Sequence, residues 1–106
     1  MFELKKSKDK YHFVLKAGNG QVILSSQMYA SKSSAMNGIE SVKKNCGDDK
    51  CYEMKTAKNG KVHFNVKSTN GQIIGSSQMY AAESGAKNGI ASVRKNAPNA
   101  GIKELD

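Results

Sequence analysis

The side chains best suited to binding or chemistry lie in segments that occur twice. Ser-Ser-Gln-Met-Tyr-Ala is found at residues 25–30 and again at 76–81, and Asn-Gly-Ile follows each copy at 37–39 and 88–90. Serine hydroxyls and amides usually form turns and helix caps, and they can also bind ligands. We therefore consider a candidate ligand or partner surface made of Ser26, Tyr29, Asn37, Ser77, Tyr80 and Asn88.

The two histidines, His12 and His63, occupy matching positions but form no catalytic set. A nucleophile needs an oriented base, and no Asp or Glu recurs near both histidines to orient them. Strand alternation places them opposite the phenylalanines, so we expect them to be solvated. They could pair across the two copies as metal ligands, but the other ligands of such a site are missing. We expect no catalytic residue, no metal and no cofactor.

The chain is basic, with 17 Lys and Arg against 9 Asp and Glu and a formal net charge of +8. The excess is divided equally between residues 1–50 and 51–106. Such a charge attracts phosphates, and it also favours solubility. Lys16 and Lys67, on the outward side of their strands, are the candidate phosphate contacts. Five of the seven aromatic residues face inward by alternation, which leaves Tyr29 and Tyr80 for base stacking and predicts weak binding at most.

Internal duplication is the dominant feature of the sequence. Residues 10–45 align with residues 61–96 without a gap, and 23 of these 36 positions are identical. Two copies are fewer than a solenoid needs. We therefore predict one compact domain, residues 1–106, in which repeat 1 (about 1–50) and repeat 2 (about 51–106) are related by a pseudo-twofold axis.

Each copy has the pattern of three strands followed by a helix. Apolar and polar residues alternate in 2–5 and 11–16, and a third strand is predicted at 22–24. The Asn19-Gly20 pair between the second and third strands is a preferred hairpin turn, since both residues tolerate a positive φ. A helix is predicted at about 32–45. The fold should bring Phe13, Ile39, Phe64 and Ile90 into one core.

Gly38 and Gly89 lie inside the two predicted helices, where glycine costs about 1 kcal/mol relative to alanine. The same cost in both copies indicates close approach of each helix to the sheet, which a Cβ would block. A ligand at the Asn-Gly pair is the alternative. Pro98 should end the second helix, and residues 102–105 can form a short last strand.

Cys46 and Cys51 lie in the segment between the copies, and their spacing matches neither a redox pair nor a zinc half-site. Neighbouring acids disfavour the thiolate, so we expect free thiols, with a local disulfide as the alternative. No apolar run approaches the ~20 residues of a membrane helix, and the first residues do not resemble a signal peptide. We expect a cytoplasmic protein that does not enter membranes.

Several segments resemble the YegP-like family, a bacterial domain of unknown function found in single or tandem copies. They are Asn-Gly-Gln-Val-Ile at 19–23, Ser26 with Tyr29, the segment 37–42, and their counterparts in the second copy. The resemblance covers nearly the whole chain. It implies an α+β fold in which two β-β-β-α(-β) repeats form one pseudo-twofold sheet, with both helices on one face and the C-terminal strands exchanged.

The resemblance also implies that proteins with a single copy would form the same fold as homodimers. This chain would then be a monomer in which the two halves of such a dimer are covalently joined. No activity is transferred by it. Our leading hypothesis is a non-enzymatic binding or structural module. The alternatives are a weak nucleic-acid binder without sequence preference, and an enzyme or small-ligand binder that uses Ser26, Tyr29 and Asn37.

Overall fold

The computed structural model describes residues 1–105, which form seven strands and two helices. The elements are β1 (Phe2–Ser7), β2 (Lys10–Lys16), β3 (Val22–Ser26), α1 (Lys32–Asn45), β4 (Tyr52–Thr56), β5 (Val62–Lys67), β6 (Ile73–Ser76), α2 (Glu83–Asn96) and β7 (Ile102–Leu105). A single 3-10 turn, Asp49–Cys51, joins α1 to β4. The predicted order of strands and helices is therefore confirmed in both copies.

All seven strands belong to one sheet, in the order β4-β5-β6-β3-β2-β1-β7. The third strands of the two copies, β3 and β6, meet in its middle and pair antiparallel. Each copy then continues outward through its second and first strands, so the six strands are arranged symmetrically about the β3–β6 junction. This arrangement confirms the α+β fold with a pseudo-twofold sheet.

The seventh strand makes the exchange between copies one-directional. β7, which follows the helix of the second copy, pairs parallel with β1 of the first copy, with Phe2 opposite Ile102. After α1, the described chain passes through the 3-10 turn directly into β4, which pairs with β5 of its own copy. The C-terminal strand whose exchange the family resemblance implies is therefore contributed by the second copy.

Both helices pack on the same face of the sheet, and each contacts strands of both copies. α1 contacts β2 of its own copy and β5 and β6 of the other, whereas α2 contacts β5 and β3. Phe13, Ile39 and Phe64 are fully buried in one cluster, and the partly buried Ile90 packs against it. Within residues 1–105, no helix is long and apolar enough to cross a membrane.

The copies must differ in sequence where they meet. Leu24 and Gly75 are equivalent positions on β3 and β6, and Leu24 is fully buried. A Cβ on Gly75 would lie 2.8 Å from the backbone oxygen of Ser25 and 3.3 Å from Leu24 Cγ. A side chain therefore fits at position 24 on β3 and does not fit at the equivalent position 75 on β6.

The predicted hairpin turns between the second and third strands are confirmed in both copies. Gly20 has φ of 84° and Gly71 has φ of 85°, whereas the preceding asparagines are not among the residues with positive φ. Of the two residues that tolerate a positive φ, the glycine is therefore the one that adopts it, and Asn19 has a different role. Its side chain instead stabilises the turn, because Oδ1 accepts a 3.0 Å hydrogen bond from the N–H of Gln21.

Candidate functional site

Ser26 and Ser77 hold the repeated Ser-Gln-Met-Tyr segment against the second strand of each copy. The Oγ of Ser26 accepts a hydrogen bond of 2.8 Å from the N–H of Phe13 and donates one of 2.8 Å to the carbonyl of Gln27. Ser77 makes the same two bonds, to Phe64 and Gln78. Because both hydroxyls bond to the backbone, these two predicted site residues position the segment that follows them.

Tyr29 and Tyr80 end this segment and are fixed by backbone and ring contacts. Tyr29 exchanges two backbone hydrogen bonds with Tyr11, of 2.7 and 2.8 Å, and its ring stacks on Phe13 with centroids 6.2 Å apart. Tyr80 stacks on Phe64 in the same way, at 6.4 Å. Burial raises the pKa of the Tyr29 hydroxyl above its ordinary value. Since each ring is already stacked, neither is the freely exposed platform that base stacking requires.

The glycines of the two helices lie directly against these tyrosines. A Cβ on Gly38 would be 2.9 Å from both Phe13 Cε2 and Tyr29 Cζ. A Cβ on Gly89 would meet Tyr80 and Phe64 equally closely. The predicted close approach is therefore confirmed, and it is made to the stacked aromatic pair that rises from the sheet.

A groove lies beside each stacked pair, between the helix of one copy and the hairpin of the other. Groove 1 has a volume of about 360 Å³. From the first copy it is lined by Gln27, Met28, Tyr29, Ser34, Asn37, Gly38 and Ser41. The second copy contributes Ser68, Asn70, Gln72, Ile73 and Ile74.

Groove 2 is the pseudo-twofold counterpart, with a volume of about 230 Å³. The second copy contributes Gln78, Tyr80, Gly85, Asn88, Gly89 and Ser92, and the first copy contributes Ala17, Asn19, Gln21 and Ile23. Each of these ten positions corresponds in the repeat alignment to a position that lines groove 1, and eight of the ten residues are identical. The two that differ are Gly85 in place of Ser34 and Ala17 in place of Ser68.

Three repeated motifs therefore meet in each groove. Gln-Met-Tyr and Asn-Gly-Ile come from one copy, and Asn-Gly-Gln comes from the hairpin of the other. The structure brings Tyr29 together with Asn37, and Tyr80 with Asn88, as the candidate surface requires.

Sequence reasoning did not select the glutamines or the helix serines of the grooves. Identity between the copies could have identified Gln27 and Gln72, and the i, i+4 spacing from Asn37 could have identified Ser41. Neither the identity between the copies nor the helical spacing indicates that the hairpin of one copy meets the helix of the other.

In the described chain, three carboxamide side chains of groove 1 are unpaired, whereas Ser68 donates its hydroxyl hydrogen to Asn70 Oδ1. Within residues 1–105, the side-chain amides of Gln27, Asn37 and Gln72 form no hydrogen bond. Asn70 uses Oδ1 to accept a 3.1 Å bond from the N–H of Gln72, and its amide nitrogen has no acceptor in the same part of the chain.

An asparagine one helical turn further on orients the helix serine of each groove. Asn45 is buried, and its amide donates a 3.1 Å hydrogen bond to Ser41 Oγ. Asn96 makes the equivalent bond of 3.1 Å to Ser92. Because the serine oxygen accepts this bond, its own hydrogen is left to donate to a molecule in the groove.

The grooves are uncharged although the protein is strongly basic. None of the described residues that line groove 1 or groove 2 is Lys, Arg, His, Asp or Glu. A cation does border groove 2, because Lys95 lines an adjoining cavity that shares Ala17, Asn19, Asn88 and Ser92 with this groove.

The two candidate phosphate contacts lie on the opposite face of the sheet and are paired with acids. Lys16 Nζ is 3.1 Å from Glu3, and Lys67 Nζ is 2.8 Å from Glu53. The hydrogen bond from Lys67, helped by one from Asn65, lowers the pKa of Glu53. Each glutamate offsets the charge of its lysine, so these two residues attract phosphate less than unpaired lysines would.

The expectation that the histidines are solvated is wrong. His12 and His63 face away from the helices, opposite Lys5 and Lys55 on the neighbouring strands, but they are half-buried. The Nδ1 atom of each is buried and has no hydrogen-bond partner in the described chain. An inner strand has a neighbour on each side, which shields ring atoms close to the backbone.

The histidines are also too far apart to share a metal ion. Two strands, β6 and β3, separate β5 from β2, which places the two strands about 14 Å apart at roughly 4.8 Å per spacing. Among residues 1–105 no group of three or more His, Cys, Asp or Glu side chains could hold a metal.

Both cysteines are free and buried. Burial raises the pKa of Cys46 and Cys51, and the charge of Asp48 raises that of Cys51 further. The thiol form is therefore favoured at both positions, as the neighbouring acids indicated.

Comparison with known proteins gives a family without a known function. The model of a domain of unknown function, DUF1508, matches residues 7–53 and again 57–104. A UPF0339 protein of Pseudomonas aeruginosa is 50% identical over 104 residues, covering 97% of this chain and 94% of its own. The UPF0339 protein YegP of Escherichia coli is 54% identical over 104 residues, with the same coverage of 97% and 94%.

Two solution NMR structures are similar throughout. A UPF0339 protein of Shewanella oneidensis is 51% identical and has a TM-score of 0.93, covering 98% of this chain and 89% of its own. The E. coli protein of unknown function yegP is 54% identical with a TM-score of 0.91, covering 97% and 90%. The fold and the tandem arrangement are thus shared with proteins whose names state no activity.

Replacing Gly38 with alanine is expected to lower the free energy of unfolding by about 1–3 kcal/mol, although alanine favours helices. The added methyl group would press on the ring of Phe13 and on Tyr29. Urea denaturation of the two proteins measures the difference.

Tyr29→Phe provides the control, in a double-mutant cycle with Gly38→Ala. Removing the hydroxyl should reduce the cost of the alanine, because one of the close contacts disappears. If Gly38→Ala instead stabilises the protein, close packing does not explain the glycine. A ligand that binds at the Asn37-Gly38 pair would then be the explanation.

Proposed function

Because the chain belongs to the DUF1508 family, whose function is not established, we propose a function from its geometry: it is a non-enzymatic binding module with two equivalent sites, groove 1 and groove 2. One observation carries the proposal. Segments that are identical in the two copies converge on each groove, and each groove takes residues from both copies.

The free polar groups of the grooves support binding. A structural role would use the hydrogen-bonding capacity of these side chains internally, as it does at Ser26. The amides of Gln27, Asn37 and Gln72 are instead unused in the described chain, while the buried Asn45 holds Ser41 in place beside them. A fixed hydroxyl among unused amides is suited to hydrogen-bonding a ligand.

The ionisation properties of the grooves support a role without catalysis. Tyr29 and Tyr80 are the ionisable residues in the described linings, and burial moves the pKa of Tyr29 further from neutrality. General acid–base catalysis works best with a group that titrates near the working pH. The grooves also hold no paired nucleophile and base in residues 1–105.

We further infer that residues 1–106 act as one domain, as a cytoplasmic monomer. Each helix packs on strands of both copies, and β7 joins the end of the chain to its beginning. Two free thiols suit a reducing compartment.

A screen of small uncharged fragments against the isotope-labelled protein tests the binding proposal. Ligands of groove 1 should shift the amide NMR signals of Gln27 and Asn37 together with that of Gln72 in the other copy. Each of the matched variants Gln72→Ala and Gln21→Ala is expected to weaken binding in the groove that contains the helix of the other copy. The first should weaken binding at Asn37 and spare Asn88, and the second should do the reverse.

Shifts confined to other surfaces, or variants that affect only their own copy, would contradict composite grooves. An intact, well-dispersed spectrum of each variant shows that the fold is retained. Gln72 and Gln21 are both exposed, so replacement should leave the core unchanged.

Nucleic-acid binding is the second candidate, favoured by the sheet face opposite the helices. Strand register and ion pairing place six lysines on this face: Lys5, Lys10, Lys16, Lys55, Lys67 and Lys103. Glu3 and Glu53 lie among them and reduce their field. Any binding should therefore depend on phosphate contacts and be weak.

Micromolar or weaker binding, similar for unrelated sequences, is expected on this hypothesis. With three or four phosphates engaged, log affinity should fall against log salt with a slope of about −3, a loss of roughly a hundredfold between about 50 and 200 mM. Fluorescence anisotropy with two duplexes and one single strand measures it.

Lys5→Gln should weaken this binding and make the slope less steep by about one, whereas Lys44→Gln on α1 should change neither. Absence of binding at ~50 mM salt would eliminate this candidate, and affinity that survives ~300 mM or prefers one sequence would contradict the phosphate mechanism.

A further inference from the structure

We propose, on the basis of the binding function above, that both grooves take a neutral polyhydroxylated ligand, a mono- or disaccharide, and that each chain binds two such molecules. The observation behind this is the chemistry of the linings, which are rich in carboxamides and hydroxyls and free of charge in the described chain.

The absence of charge in the linings sets the first limit on the ligand. A phosphate or carboxylate that entered groove 1 would lose hydration without meeting a cation in its lining. The lining of groove 2 is also uncharged, and Lys95 lies in the cavity beside it. A neutral molecule does not incur this cost.

The amides set the second limit. A carboxamide presents a donor NH₂ and an acceptor C=O side by side, and a hydroxyl group both donates and accepts. Two adjacent hydroxyls of a sugar can therefore pair with one carboxamide. Groove 1 offers the unused amides of Gln27, Asn37 and Gln72, and Ser41 beside them donates a further hydrogen bond.

Other neutral ligands fit less well. A nucleobase needs a free aromatic face, and Tyr29, the aromatic residue of groove 1, already stacks on Phe13. An extended peptide pairs with the edge of a sheet, but β4 and β7 are the edges, while the grooves lie over the central β3 and β6.

The size of the grooves agrees with a small sugar. Groove 1, at about 360 Å³, lies at the lower end of small-molecule sites, roughly 300–1,000 Å³, and groove 2, at about 230 Å³, lies below that range. Ser34 adds a hydroxyl to groove 1 where groove 2 has Gly85; its oxygen accepts a bond from Ser31, which leaves its own hydrogen to donate. Ser68, which replaces Ala17, already donates its hydrogen to Asn70. Groove 1 should therefore be the tighter of the two sites.

The experiment titrates the full-length labelled protein with glucose, galactose, mannose, N-acetylglucosamine, lactose and chitobiose, and with glucose 6-phosphate as the charged comparison. At least one neutral sugar should shift the side-chain amide signals of Asn37 and Asn88 with millimolar affinity, and the data should require two sites, groove 1 the stronger.

Asn37→Ala should weaken binding in groove 1 by about tenfold and leave groove 2 unchanged, and Asn88→Ala should do the reverse. Both residues are exposed on helices, where alanine favours folding, so loss of structure should not interfere.

If none of these sugars shifts the groove signals, or if glucose 6-phosphate binds more tightly than glucose, the saccharide inference is overturned. Uncharged fragments that bind the grooves while all sugars fail would leave the proposed binding function standing without its saccharide ligand. Failure of fragments and sugars alike would overturn both.

Discussion

The antiparallel pairing of β3 with β6 determines how the two copies are arranged. Two residue pairs form this junction, Ser25 with Ser76 and Ser26 with Gly75, and the N–H of Gln27 adds a 3.1 Å bond to the carbonyl of Ile74. The pairing requires a residue without a side chain on one strand, because a Cβ on Gly75 would meet the Ser25 carbonyl. It converts two three-stranded units into one sheet and places the hairpin of each copy beside the helix of the other.

The candidate sites follow from this geometry. Each groove is closed on one side by a helix that lies close to the sheet because Gly38 or Gly89 permits contact with a stacked Tyr–Phe pair. Its other side is the hairpin of the opposite copy. Duplication therefore gives the chain two similar sites. They differ where the copies differ in sequence, as at Ser34 in groove 1 and its counterpart Gly85 in groove 2. The proposed binding function depends on the junction as much as on the groove residues themselves.

Most elements could be predicted from the sequence because they depend on local patterns. Alternation gave the strands, the spacing of Ala35, Ile39 and Val42 gave α1, and the repeated glycine indicated close packing. Long-range geometry could not be predicted in this way. The histidine Nδ1 atoms are buried because a strand lies on either side of each histidine. The exchange is one-directional because β7 pairs with β1. The hairpin of one copy meets the helix of the other because β3 pairs with β6. Identity between copies identified important residues without indicating which of them face each other.

Separating the two copies shows whether each half of the molecule depends on the other. Residues 1–50 and 51–106 would be produced as individual chains, and their mass in solution and thermal unfolding compared with those of the intact protein. We expect that neither half is a folded monomer, since each would expose the junction strand and a helix face that packs on the other copy. Two halves that remain monomeric and each unfold cooperatively on their own would contradict it.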